Sequence, residues 1–149
     1  MKTFLLLLTF SVSAMANIDY PTRNYSYISD FDFREEVEIK DKYVVMVFSN
    51  KECLERTIID RSCWLFEKKL DYFVPKFSPR IKVVGFNTFF ENYQVASRFN
   101  VRKTPTVIIL RNGQQLSRFE ADYTYGDWTQ GNWQDRLLKQ VLDKVSQIH

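Results

Sequence analysis

Cys53 and Cys63 are the residues of this chain best suited to do chemistry. They are its two cysteines, with nine residues between them. A thiol pair can exchange electrons with other thiols if one sulfur is an exposed thiolate, the other is within reach and the surroundings are electropositive. Lys51 and Arg56 favour a thiolate at Cys53, whereas Glu52 and Glu55 oppose it, so the local charges nearly cancel. Reach is the sharper constraint. A disulfide wants Cα atoms within about 7 Å. A continuous helix from Cys53 to Cys63 would hold them roughly 15 Å apart. The bond therefore requires the segment Leu54 to Ser62 to fold back. Asp60 and Ser62 are N-cap types that can restart a helix at Cys63, and Ile58 and Ile59 can anchor the segment on a core. Three readings stay open: a structural Cys53–Cys63 disulfide, a redox-active pair, or two unpaired thiols. Closing a loop of this size stabilises a fold by roughly 2.5–3 kcal/mol in the chain-entropy account.

The rest of the chain offers little competing chemistry. His149 is the one histidine, and it is terminal. With no His/Cys ligand cluster, the sequence argues against a metal, and it suggests no cofactor. It contains no glycine-rich phosphate loop and no nucleophile elbow. The formal charge of +3 without a basic run argues against nucleic acid as a partner. At 149 residues and 45% hydrophobic content the chain suits one domain with a real core.

The first residues read as an export signal. Met1-Lys2 is a positive start, Phe4 to Val12 a short apolar run, and Ala14-Met15-Ala16 an A-x-A cleavage site. The expected organisation is a signal peptide over 1–16, an arm over 17–24 and a folded domain over 25–149. The apolar run is too short to span a bilayer, and no later one is longer. The mature chain is expected in the periplasm or secreted, without a membrane span, where two cysteines favour a disulfide.

The elements that would position the cysteines follow from periodicity. Tyr25 to Ile28 suits a short strand, and Ser29 caps a helix through Phe33 and Val37 to about Ile39. Tyr43 to Phe48 (YVVMVF) suits a strand buried on both faces. Cys63 opens a helix with Phe66, Leu70, Phe73 and Phe77 on its apolar face, and Pro75 ends or kinks it. Arg80 to Asn87 alternates as a strand, and Tyr93 to Phe99 suits a short helix. Thr106 to Leu110 is a strand led by Pro105. A proline at a strand's first residue is tolerated because its missing N–H leaves no gap in the ladder, and such prolines often follow a cis bond. Asn112-Gly113 signals a hairpin to Gln115–Phe119. Trp133, Leu137, Leu138, Val141, Leu142 and Val145 mark a closing helix. The order β-α-β-α-β-α-β-β-α predicts an α/β fold.

Phe48 five residues before Cys53, the string from Phe99-Asn100-Val101 to Thr104-Pro105-Thr106, and the Asn112-Gly113 hairpin together resemble the thioredoxin-like superfamily. The resemblance covers about Tyr25 to Val145. It implies a central mixed sheet of about five strands flanked by helices, with a cis-proline, Pro105, before the fourth strand. It places Cys53 at the family's nucleophilic cysteine and Cys63 at its second cysteine, so C-x-x-C has become C-x9-C. Three other positions depart from the family. Glu52 replaces an aromatic residue before the first cysteine, Leu54 replaces the glycine after it, and Val47 stands where a buried acid often assists proton transfer.

The function so implied is thiol-disulfide exchange on exported proteins or peptides, together with a redox partner protein. Cys53 would attack, Cys63 would resolve the mixed disulfide, and the Thr104-Pro105 backbone would hold an extended substrate by strand addition. The alternative is a redox-inactive binding or chaperone-like module with a structural Cys53–Cys63 bond. Arg102 and Lys103 beside the proline read as solvated charge. Tyr123, Tyr125 and Trp128 read as a loop packed on the domain, and Trp64 and Trp133 as core or core edge.

Overall fold

The computed structural model describes residues 24–49, 61–88, 93–122 and 133–148, with side chains from residue 64 onward in the second stretch. Five strands form one mixed sheet. They are β1 (Ser26–Tyr27), β2 (Tyr43–Ser49), β3 (Ile81–Asn87), β4 (Thr106–Arg111) and β5 (Gln114–Glu120). Their order across the sheet is β1-β3-β2-β4-β5. β3 runs parallel to both β1 and β2, whereas β4 runs antiparallel to β2 and β5. The helices are α1 (Phe33–Val37), α2 (Arg61–Phe73), α3 (Tyr93–Arg98) and α4 (Trp133–Ser146). No helix of the described residues is long and apolar enough to cross a membrane.

β2 occupies the centre because its sequence can be buried on both faces. Val44, Val45, Met46, Val47 and Phe48 are fully inaccessible, and burying each stabilises the fold by about 1.5–3 kcal/mol. Alternation then divides them. Val45 and Val47 face a core completed by Phe66 and Leu70 of α2 and Trp133, Leu137 and Val141 of α4. Val44, Met46 and Phe48 face Phe33 and Val37 of α1 and Val95 and Ala96 of α3. On that second face Phe48 stacks on Phe86 with ring centroids 5.2 Å apart.

Some boundaries differ from the sequence reading. Ser29 begins a 3-10 turn over Asp30–Asp32, and α1 stops at Val37 rather than near Ile39. The Asp30 carboxylate accepts from the backbone N–H groups of Gln94 and Val95, so this turn caps α3. α2 begins at Arg61, which puts Ser62 inside the helix rather than at its cap. It ends at Phe73, ahead of a 3-10 turn over Val74–Lys76 that contains Pro75. Phe77 therefore lies beyond α2, and Phe73 and Phe77 are only partly buried. The β4–β5 hairpin turns through Asn112 and Gly113, both at positive φ, which is what a two-residue primed turn needs. The register slips by one residue after Ile109, an irregularity that alternation alone does not reveal.

Candidate functional site

The site lies where the C-terminal end of β2 meets the N-terminal end of β4. Phe48 pairs with Thr106, so the strand that leads to Cys53 ends beside the proline that leads into β4. The Thr104–Pro105 bond is cis. Pro105 is buried and Thr104 half-buried. The Pro105 carbonyl accepts from the Ala121 N–H at 3.1 Å, and the Thr106 hydroxyl donates to the Lys103 carbonyl at 2.6 Å. Arg118 of β5 donates to the carbonyls of Phe99 and Asn100 at 2.6 and 3.0 Å, fixing the turn that precedes the proline. Arg102 is exposed and donates to the Asn100 side chain at 3.0 Å. Lys103 is exposed as well.

Cys63 is the third residue of α2, within its first turn. The N–H groups of a helix's first turn in general favour a thiolate. Cys53 lies outside the described residues, as do Lys51, Glu52, Leu54, Arg56, Ile58 and Ile59. The Cys63 side chain is outside them too, and with it the expected Cys53–Cys63 pairing. The expected signal 1–16, the arm 17–23, Tyr123, Tyr125, Trp128 and His149 also fall outside. Trp133 is buried. Trp64 is half-buried, with the Lys68 ammonium 4.8 Å from its ring centroid.

The sequence reading missed one residue here. Val47 is apolar and fully buried, yet a buried acid is present: Glu67, on α2, is fully buried as well. It points into the same face of the sheet as Val47 and is met by three hydroxyls. Tyr25 Oη donates to Glu67 Oε2 at 3.3 Å. Tyr27 Oη also donates to Oε2, and Ser49 Oγ to Oε1. Tyr27 Oη lies 3.1 Å from Ser49 Oγ. Burial pushes the Glu67 carboxyl up to about 7, against the pull of its three hydroxyl donors. Burial, reinforced by the negative charge at Glu67, raises the Tyr25 phenol further above its ordinary range.

Gly85 makes this arrangement possible. It stands between Tyr27 and Val47 in one row across the sheet. A Cβ on it would sit 3.0 Å from the Tyr27 ring, tighter than ordinary contact, so a larger residue would push on the ring that carries its hydroxyl to Glu67 and Ser49. One sequence signal was available: the helix face through Cys63, Phe66 and Leu70 also contains position 67, so an acid interrupts an otherwise apolar stripe.

No family model matches the chain. Thioredoxin 1 of Nostoc sp. is 32% identical over 89 residues, which cover 60% of this chain and 76% of that protein. The chain belongs to the thioredoxin family. Thioredoxin of Haemophilus influenzae is 28% identical over 91 residues, covering 61% of this chain and 78% of that one. Among solved structures, the germline-specific thioredoxin Deadhead from Drosophila melanogaster superposes with a TM-score of 0.61 at 19% identity. That match covers 83% of this chain and 98% of Deadhead, and it carries the fold alone. Thioredoxin family membership brings a thioredoxin-like redox function in general, and thioredoxin-like proteins act on protein substrates.

Proposed function

We propose that this thioredoxin-family chain performs thiol-disulfide exchange on exported proteins. In this reading the Cys53 thiolate attacks a substrate disulfide and forms a mixed disulfide, releasing the substrate's other sulfur as a thiol. Cys63 then attacks the Cys53 sulfur, freeing the reduced substrate and leaving Cys53–Cys63 oxidised. The reverse sequence oxidises a substrate dithiol. One observation carries the reading. Cys63 lies in the first turn of α2, while β2, the strand leading to Cys53, ends beside Thr104-Pro105. In the same reading the Thr104-Pro105 backbone receives an extended substrate as an added strand. The residue pattern over 1–16, read as an export signal, supports a periplasmic or secreted site of action.

The test is trapping. Cys63→Ser, expressed with its signal and purified from the exported fraction, should accumulate mixed disulfides through Cys53 that dissolve with reductant. A chain that traps nothing, loses stability on the same substitution and fails to exchange with a model dithiol is the stapled binding module instead.

A further inference from the structure

The hydroxyl cage around Glu67 ties together the two ends of the segment that bears Cys53. Ser49 is the last residue of β2, four residues before Cys53, and Glu67 is one helical turn after Cys63. Their side chains meet directly. Tyr27 bridges both from β1, and Tyr25 adds a second anchor from the same end of the sheet.

The protons in this cage can be counted. Among Tyr25, Tyr27, Ser49 and Glu67 four oxygen–oxygen pairs are in hydrogen-bond contact: Tyr25–Glu67, Tyr27–Glu67, Ser49–Glu67 and Tyr27–Ser49. Three hydroxyls supply three protons. The fourth proton is the one on the carboxyl, which can donate to Ser49 and free Ser49 to donate to Tyr27. Removing it leaves one pair without a proton and a charge in a site with no ion-pair partner among the described residues. Among the described residues the surroundings offer no compensating charge. β3 presents Gly85 and Val83, and α4 presents Trp133, Leu137 and Val141. The charged contact between α2 and α4, Lys69 to Asp135 at 2.5 Å, is exposed at the rim. Asp71, one turn further along α2, holds the Asn24 backbone and side chain and adds negative charge beside Tyr25.

We propose that Glu67 is a positioning residue: with Ser49 and Tyr27 it forms a proton-dependent latch that clamps the two stems of the cysteine-bearing segment. Protonated, the latch is closed and the stems are held at a fixed spacing. Ionised, it favours separation of Ser49 from Glu67, because the carboxylate then reaches water. Its bearing on catalysis rests on the exchange reading above, while the latch itself does not.

Hydrogen exchange of the full chain, corrected for intrinsic rates, tests it. Between about pH 5 and 8, protection at the end of β2 and in the early turns of α2 should fall by roughly tenfold to a few hundredfold, the span expected when a carboxyl that titrates at about 7 becomes solvated. Protection of Ile108 to Leu110 in β4 should change far less. Glu67→Gln should flatten the response at the stems. Ser49→Ala, which removes one donor and keeps the carboxyl, should weaken the clamp while retaining a pH response, and it serves where Glu67→Gln does not fold. A stem response that persists in Glu67→Gln, or one in which β4 falls in step with the stems, overturns the latch. Failure of mixed-disulfide trapping with an intact stem response would sink the exchange reading and leave the latch standing.

Discussion

Replacing Glu67 with Gln keeps the shape of the side chain and removes its ionisation, so the pH dependence of stability isolates the buried carboxyl. In the folded chain it titrates at about 7, against an ordinary value of 4.5. Between those values the folded protein holds a proton that the unfolded chain has released. Stability from this group is therefore fully present below about pH 4.5 and is lost as pH rises through about 7. Taking the ratio of folded to unfolded protonation between about pH 5 and 8 gives a loss of about 1–3 kcal/mol. The assay is urea unfolding of wild type and Glu67→Gln, both oxidised, at matched ionic strength. Relative to wild type, the variant should gain about 1–3 kcal/mol on going from about pH 5 to 8. Other titrating groups cancel in that comparison. A difference that stays constant across this range refutes the claim that burial holds the proton on Glu67.

Gly85→Ala should destabilise the domain by about 1–3 kcal/mol, because the new methyl would sit 3.0 Å from the Tyr27 ring, closer than ordinary contact. The penalty should largely vanish in a Tyr27→Ala background, measured as a double-mutant cycle. Leu70→Ala opens a cavity between α2 and the sheet in a fully buried position. It should cost about 2–5 kcal/mol by chemical unfolding. Gly113→Ala meets no neighbour but places a Cβ on a residue with φ of 76°. It should cost about 1 kcal/mol through backbone strain alone.

Much of this fold is legible in the sequence because it rests on periodicity. The β-branched run Tyr43 to Phe48 can only be a strand covered on both faces, and it is the centre of the sheet. Asn112-Gly113 carries its own turn chemistry, and Thr104-Pro105-Thr106 carries the start of β4. Boundaries were less legible where tertiary contacts decide them. α1 stops at Val37, although nothing in the residues up to Ile39 forbids another turn. The slip after Ile109 depends on how β5 meets β4 rather than on either strand's residue types.

The cysteines, the succession of elements along the chain and the place of the proline belong to the sequence, because each depends on residue type at a given spacing. Glu67 belongs to the tertiary structure. On a helix read by itself, a glutamate beside Phe66 interrupts the apolar stripe, but the pattern does not say whether it turns to solvent or is buried. Its burial is tolerable only because Ser49, Tyr27 and Tyr25, at 18, 40 and 42 residues' separation, bring three hydroxyls to it. Desolvation of a carboxyl is a property of everything packed around it, and no local pattern of residues encodes that environment.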